Sequence, residues 1–459
     1  MHLARAAREP VAPAVATLGD VAAHGALVIC VGAGVSKGEP TSLPLGWELG
    51  EIVYQSLRGR LGDEALAGAD STELLSVADT VAALPAGAAL LQTTLLEAAA
   101  YTDAEPNFGH VVLALLLLEG AAEVMVTNYD DCIERGGGPY GRLQAIISDA
   151  DRAQVQGPAV LKVHGCAARA GTLLASSDQL ADPPTWVFHH FGERLGTASV
   201  VFVGLGDVAT YVRIRIAQVL DRIGDGERIW VVATSLSEAW TELVPDIENR
   251  FIEMSADDFL DELLRDYVNI ALKRLHDIAA EHHETGTYAA TGLNPLVGAE
   301  TLLDAIDARD AMAIVIWLRG AALRWPLGES VVQSQAARDS LLAIALAAAT
   351  RSIAFDGRRL SVGDAPVELL LARSAVVATV VEAAQRRVEQ QRADGTVGVN
   401  ETVIVLCHGQ QGPLPAALPV NVIPGEHSDD IIDGPNVPLL RLVSAHRVLE
   451  GELPAEWAA

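Results

Sequence analysis

Short, almost uninterrupted apolar runs recur along the first half of the chain, without the polar–apolar alternation of a strand that keeps one face wet. The run ALVICVG at 26–32 sets the type: apolar at successive positions and closed by glycine, it reads as a strand buried on both faces that enters a tight turn. Comparable runs stand at 123–127 (EVMVT), 143–147 (LQAII), 159–163 (AVLKV), 199–204 (SVVFVG) and 228–234 (RIWVVAT), separated mainly by helical patterns. Strands alternating with helices predict a parallel sheet covered on both faces. After Pro106 the segment NFGHVVLALLLLEG is apolar enough for a buried helix, which delivers the chain into the strand before Thr127 and puts Asn128 at a strand's C-terminal end. Ligands of open α/β sheets collect at that edge.

Beyond Ser255 the pattern changes. ADDFLDELLRDYVNIALKRLHDIAAEHH is a long amphipathic helix that closes a first domain near residue 283, and the polar HETGTYAATG marks a boundary. Helical segments follow around 300–325, 331–350 and 366–391, then a strand at 402–407 (TVIVLC) and an acidic tail rich in Pro and Gly. The pattern predicts an α/β domain over 1–283 and a mainly helical α+β domain over 284–459, with no internal repeat.

Composition narrows this picture. A chain of 459 residues has room for two domains, and with half its residues hydrophobic and a fifth charged it is expected to be globular. Acidic residues outnumber Lys and Arg by 60 to 32, and the formal charge of −28 repels a phosphate backbone, which disfavours direct nucleic-acid binding. The apolar stretch Val111 to Leu118 ends at Glu119, well short of the ~20 residues a membrane span requires. Arg5, Arg8 and Glu9 stand among Ala and Pro with no continuous apolar core of a secretory signal, so the expected location is cytoplasmic. Cys30, Cys132, Cys166 and Cys407 form no C-x-x-C pair, the expectation being reduced, buried thiols and no metal.

Four short strings carry candidate chemistry. Gly32-Ala33-Gly34-Val35-Ser36 follows the first strand, where glycines allow a tight bend and let amides approach a pyrophosphate; a purely structural glycine turn reads equally well, and the next glycine is Gly38 rather than residue 37. The chain continues into a proline-broken loop instead of a second strand with a ribose-binding acid, which demotes hydride transfer. That loop, with Pro44, Leu45 and Trp47, would fold over the nicotinamide half of a dinucleotide, or else be a surface loop anchored by Trp47. In Thr127-Asn128-Tyr129-Asp130-Asp131, Asn128 suits a sugar hydroxyl or a positioned water and Asp130 a carboxamide NH₂, although Asn and Asp also cap helices. His164-Gly165 ends another strand, and a histidine there takes a proton from a ribose hydroxyl or an attacking water. His408-Gly409 competes but lacks the Asn-x-Asp companion, so the association favours His164. Gly204-Leu205-Gly206-Asp207 would let a ribose or adenine lie against the sheet edge, Asp207 alternatively being a helix cap. The pairs His189-His190 and His282-His283, in polar helical context, are expected at the surface.

In this order GAGVS, TNYDD, KVHG and VFVGLGD resemble the sirtuin family, specifically its bacterial sirtuin-like NAD hydrolases of antiphage defence, over roughly residues 15–283. The resemblance implies a Rossmann-like, doubly wound sheet. It further implies that Gly32, Ala33, Gly34 and Ser36 line the phosphate site, that Asn128 and Asp130 face ribose and nicotinamide, that His164 is the catalytic histidine and that Gly204 and Asp207 lie in the late nucleotide-contacting turn. Two departures matter. Deacetylating sirtuins usually carry four cysteines of a zinc ribbon between the histidine and the late strand, where this chain has only Cys166, and SLPLGW replaces their Pro-Asp-Phe-Arg loop.

The implied activity is hydrolysis of NAD to nicotinamide and ADP-ribose, with NAD depletion and abortive infection as the biological output. A protein deacylase or ADP-ribosyltransferase is the alternative enzyme, and an idle NAD or ADP-ribose sensor a third reading that the presence of both Asn128 and His164 argues against. The resemblance also implies a homo-oligomer and a partner such as a HerA-type ATPase or an Argonaute-like protein. Residues 284–459 are expected to control assembly, with apolar helix faces such as AMAIVIWLRGAALRW offered for association. No second Gly-rich phosphate loop follows residue 283, which disfavours a fused nucleotide-sensing domain.

Overall fold

The computed structural model describes residues 13–181, 184–205, 226–306, 310–372, 377–395, 403–408 and 440–451, with short pieces at 213, 216–217, 220, 422–423, 430–432 and 457. The chain divides into two compact units, 1–266 and 267–459. The division falls inside the 29-residue helix Ala256–Glu284, the long amphipathic helix expected after Ser255.

The first unit is built on seven parallel strands: β1 (Leu27–Val31), β2 (Ala122–Val126), β3 (Gln144–Ile146), β4 (Ala159–Lys162), β5 (Ser199–Val203), β6 (Ile229–Ala233) and β7 (Phe251–Glu253), in the spatial order β3-β4-β2-β1-β5-β6-β7. Six are the apolar runs of the sequence; the three-residue β7, too short to carry a period, was not anticipated. Every residue of β1 is buried, because helices cover both faces and alternate side chains find apolar partners on either side. Val28 and Cys30 join Met125, Phe202 and Val231 in one cluster, while Ile29 and Val31 are buried as completely. From β1 the chain moves to β2 on one side and later returns to β5 on the other. The C-terminal edge between β1 and β5 is therefore the point where a doubly wound sheet leaves a crevice.

Register aligns that edge. Lys162, Val126, Val31 and Val203 are successive cross-strand partners, so the next residues out, Val163, Thr127, Gly32 and Gly204, form a second row. The ladder extends into it: Thr127 N–H donates to Val31 O, Val163 N–H to Val126 O and Gly32 N–H to Val203 O, each at 3.0 Å. One residue further stand Asn128 and His164. The apolar segment after Pro106 is the helix Phe108–Leu118, buried over nearly its whole length and capped by Asn107.

In the second unit the helices Pro295–Ala305, Ala311–Ala321, Gln335–Ala348, Val377–Ala393 and Ala445–Leu449 accompany an eight-stranded mixed sheet. Its strand Val403–His408 is the expected one and pairs in parallel with Ala365–Ala372 and Leu440–Ser444. Residues 366–372, expected to begin a helix, are strand instead. PVELLLA is a short apolar run that periodicity cannot assign, and pairing on both sides decides it. The helix Ala311–Ala321 turns its apolar face into its own unit, burying Ile314, Val315 and Leu318, with Trp317 against Phe355 at 5.1 Å between ring centroids. The face offered for association is thus core.

Candidate active site

The two glycine turns at the β1 and β5 ends interlock. Gly34 N–H donates to Gly204 O at 2.9 Å, and Gly204 holds a left-handed φ of +67°. A Cβ on Gly32 would lie 2.7 Å from Gly204 O, and one on Gly34 2.8 Å from Gly204 Cα. Backbone-to-backbone approach therefore requires glycine here whatever ligand lies above. It also uses two of the amides that the sequence offers to a pyrophosphate, since Gly32 and Gly34 donate across to β5. Among the described residues the Ala33 N–H takes no carbonyl.

Under that edge runs a buried hydrogen-bond network. Asn128 Nδ2 donates to Gly32 O at 3.1 Å and to Ser36 Oγ at 2.9 Å. Ser36 Oγ donates to Asp130 Oδ2 at 3.0 Å, and Asp130 Oδ1 accepts from Cys132 N–H at 3.1 Å. The ring of His110 completes the network, its Nε2 3.1 Å from Ser36 Oγ. Gly32 O can only accept, so the Asn128 amide must present its nitrogen there and its Oδ1 elsewhere. That oxygen has no protein partner among the described residues. Ser36, 2% exposed, has one proton to give and two acceptor positions, and the network uses all three.

Charge in the network is divided between its members. Burial drives the His110 imidazole down to about 4, so it is neutral at ordinary pH. Burial would raise the Asp130 carboxyl, but Lys162, the Cys132 amide and the Ser36 hydroxyl outweigh it and hold that group below the usual carboxylate value. With His110 neutral, the attraction comes from Lys162, whose Nζ donates to the Asp130 backbone carbonyl and stands 3.5 Å from the Glu134 carboxylate.

His164 is at the matching position beyond β4. Burial lowers its imidazole to about 4, partly opposed by a hydrogen bond with the Thr127 backbone, so the ring is unprotonated at neutral pH and able to accept a proton. The turn that carries it is held by Leu174 N–H to His164 O at 3.0 Å and Ala167 N–H to Tyr129 O at 2.8 Å, which ties it to the Asn128 turn. Gly165 has φ +88°, and a Cβ there would be 2.0 Å from Thr172 O.

The structure thus brings Gly32, Ala33, Gly34, Ser36, Asn128, Asp130, His164 and Gly204 to one edge. Asp207 lies outside the described residues. Trp47 does not join the edge group: at the start of the helix Gly46–Leu61 it is 54% exposed and lines an open depression of about 860 Å³ with Leu43, Ile52 and Asp103. The loop before it is anchored not by Trp47 but by the buried Leu43 and Thr41. His408 belongs to the second unit, 3.0 Å from Asp339. His189 is exposed as expected, but His190 is buried and bonded to Glu123 at 2.8 Å, a carboxylate 67 positions away that local helical context could not reveal. Sequence reading also missed His110. Its only local signal is an Asn-x-x-His start to an otherwise apolar helix, a reciprocal cap in which His110 N–H donates to Asn107 Oδ1 and Asn107 N–H to His110 Nδ1.

His110, Asp130 and Cys132 also offer three donor atoms within 4.8 Å of one another. Each is engaged already: His110 with Ser36, Asp130 with Ser36 and the Cys132 amide, and Cys132 Sγ with Ala104 O at 3.6 Å. Burial raises the Cys132 pKa, favouring thiol over the thiolate a metal prefers. The set fits a hydrogen-bond network better than a metal centre.

Residues 122–252 match the family model of the SIR2-like domain, a stretch that holds Asn128, His164 and Gly204. Among solved structures, a Sir2 homologue mutant in complex with ADP-ribose is similar at 18% identity with a TM-score of 0.33, the match covering 55% of this chain and 96% of that one. No curated protein matches the chain.

Proposed function

We propose that this protein cleaves the bond between nicotinamide and ribose in NAD and passes the ribose to water, giving nicotinamide and ADP-ribose. The observation that carries the reading is the pairing of Asn128 and His164 at equivalent positions beyond adjacent strands, beside the β1–β5 crevice. A match to the SIR2-like domain over the same stretch supports it. Nicotinamide departs with the electron pair of its bond to C1′, leaving an oxocarbenium-like ribosyl group. Asn128, with its nitrogen committed to Gly32 and Ser36, offers Oδ1 as an acceptor for a ribose hydroxyl or the attacking water. His164, unprotonated at neutral pH, takes the proton that water gives up. The small edge formed by Gly32, Ala33, Gly34 and Gly204 leaves room for the dinucleotide, while Asp130, buried with its oxygens on Ser36 and the Cys132 amide, supports the site from beneath, and a ligand contact by Asp207 rests on the motif resemblance alone. The chain has one cysteine, Cys166, between His164 and β5, which favours water over an acyl-lysine acceptor. Depletion of NAD in antiphage defence, by a homo-oligomer or with a HerA-type or Argonaute-like partner, is the biological extension of this reading and rests on the motif resemblance alone.

The test is to incubate the full chain with NAD, quantify nicotinamide and ADP-ribose, and measure ADP-ribose binding by calorimetry. Asn128→Ala and His164→Ala are expected to lower turnover by about 10²–10⁴ while the fold is kept. Wild-type rates in both variants, or a protein that neither cleaves NAD nor binds ADP-ribose, would overturn the reading. Nicotinamide release that depends on an added protein acceptor would replace hydrolysis by group transfer.

A further inference from the structure

The network beneath Asn128 has a direction, and His110 sets it. Nδ1 of His110 faces the Asn107 N–H at 3.2 Å, a group that can only donate, and Thr41 Oγ1, whose proton goes to Glu105 O, stands further off at 3.5 Å, so the nearer contact leaves Nδ1 the lone pair and Nε2 the proton. Nε2–H then points at Ser36 Oγ, 3.1 Å away, and occupies one acceptor position of the hydroxyl. The hydroxyl proton is left to Asp130 Oδ2, which can only accept. Its remaining acceptor position receives Asn128 Nδ2. With the opposite tautomer the Ser36 proton would be drawn to His110, and Asp130 would keep only the Cys132 amide as donor. Every member is buried or partly buried, so water does not readily replace a missing partner.

We propose that His110 is a positioning residue which, as the Nε2–H tautomer, orients the Ser36 hydroxyl and through it holds the Asn128 amide with Oδ1 toward the ligand edge. Ser36 accordingly supports Asn128 and does not contact phosphate. This inference rests on the proposed role of Asn128, but its first test does not depend on activity.

In the full-length protein labelled with ¹⁵N, the imidazole nitrogens of His110 should show the Nε2–H form between pH 6 and 8, and the Asn128 side-chain amide protons should resist exchange with solvent. A His110 signal in the Nδ1–H or doubly protonated form overturns the proposal whatever the protein catalyses. The second test compares His110→Gln with His110→Leu. Residue 110 keeps its backbone bond to Asn107 Oδ1 in both, but only Gln can accept from the Asn107 N–H and return a donor toward Ser36, so His110→Leu should melt lower than His110→Gln. His110→Leu is expected to lose about ten- to a hundredfold in kcat for NAD cleavage with KM changed by less than about threefold, and its Asn128 amide protons should exchange faster. His110→Gln should recover most of both. Equal turnover and equal exchange in the two variants, with an active wild type, would reduce His110 to a helix cap. A wild type that leaves NAD intact while the His110 tautomer and Asn128 protection are as described would count against the hydrolase reading and not against the network.

Discussion

At the residue scale the glycines are the most constrained positions, and the constraint comes from the fold itself. Gly32 and Gly34 press on Gly204 at distances no Cβ tolerates, so the G-x-G string is required to close β1 onto β5 before any nucleotide is considered. Gly32→Ala should cost about 1–3 kcal/mol by forcing the two strand ends apart, and it should weaken ADP-ribose binding along with stability. Gly46→Ala is the control: it opens the helix Gly46–Leu61 with nothing within 4 Å of a new Cβ. There the change should be neutral or stabilising by up to about 1 kcal/mol. Urea unfolding of the two variants checks both. A Gly32→Ala protein as stable as wild type would mean that the turns separate freely.

At the scale of elements, the site is a set of turns stitched to one another and to a buried cation. Lys162 closes β4, and burial would lower its pKa, yet Glu134 and the nearby carboxylates keep it above the ordinary lysine value. Its Nζ reaches the Asp130 carbonyl, joining β4 to the turn that leaves β2 and to the helix Cys132–Gly137 that bears Glu134. Lys162→Met would leave Glu134 and Asp130 buried without their cation. The expected loss is about 3–5 kcal/mol at pH 7, with part of it recovered in Lys162→Met/Glu134→Gln. Denaturation midpoints of the single and double variants measure this. A Lys162→Met loss below about 1 kcal/mol would show that the carboxylates find other compensation.

For the whole molecule, the two neutral histidines make stability depend on pH in a definite direction. His110 and His164 take up protons near 4 in the folded protein but near 6.5 when the chain is unfolded. Between those values the unfolded chain binds the protons that the folded one refuses, so stability is greatest above 6.5 with respect to these groups and falls as pH drops toward 4. Full transit of that window corresponds to roughly 3 kcal/mol for each ring. Unfolding midpoints measured from pH 7.5 to 4.5 should decline, and the decline should be shallower in His110→Gln. A flat profile would place the rings' protonation in the folded protein near the ordinary value.

Much of the fold was legible in the sequence because its determinants are local. A short apolar run specifies a buried strand, and six such runs, two of them closed by glycine, located the sheet and the edge at which Gly32, Asn128, His164 and Gly204 gather. What the runs could not carry was pairing. Only the assembled sheet sets β4 between β2 and β3, and only pairing on both sides makes 366–372 a strand. The same holds for the polar groups. His110 reaches Ser36 across 74 residues and His190 reaches Glu123 across 67, neither by any periodic relation. The Ala311–Ala321 helix announces an apolar face in its sequence, but whether that face meets its own unit or another molecule depends on what packs against it. Side-chain period is a property of one segment and can be read along the chain, whereas hydrogen-bond direction, tautomer and burial depend on neighbours that only folding brings within reach.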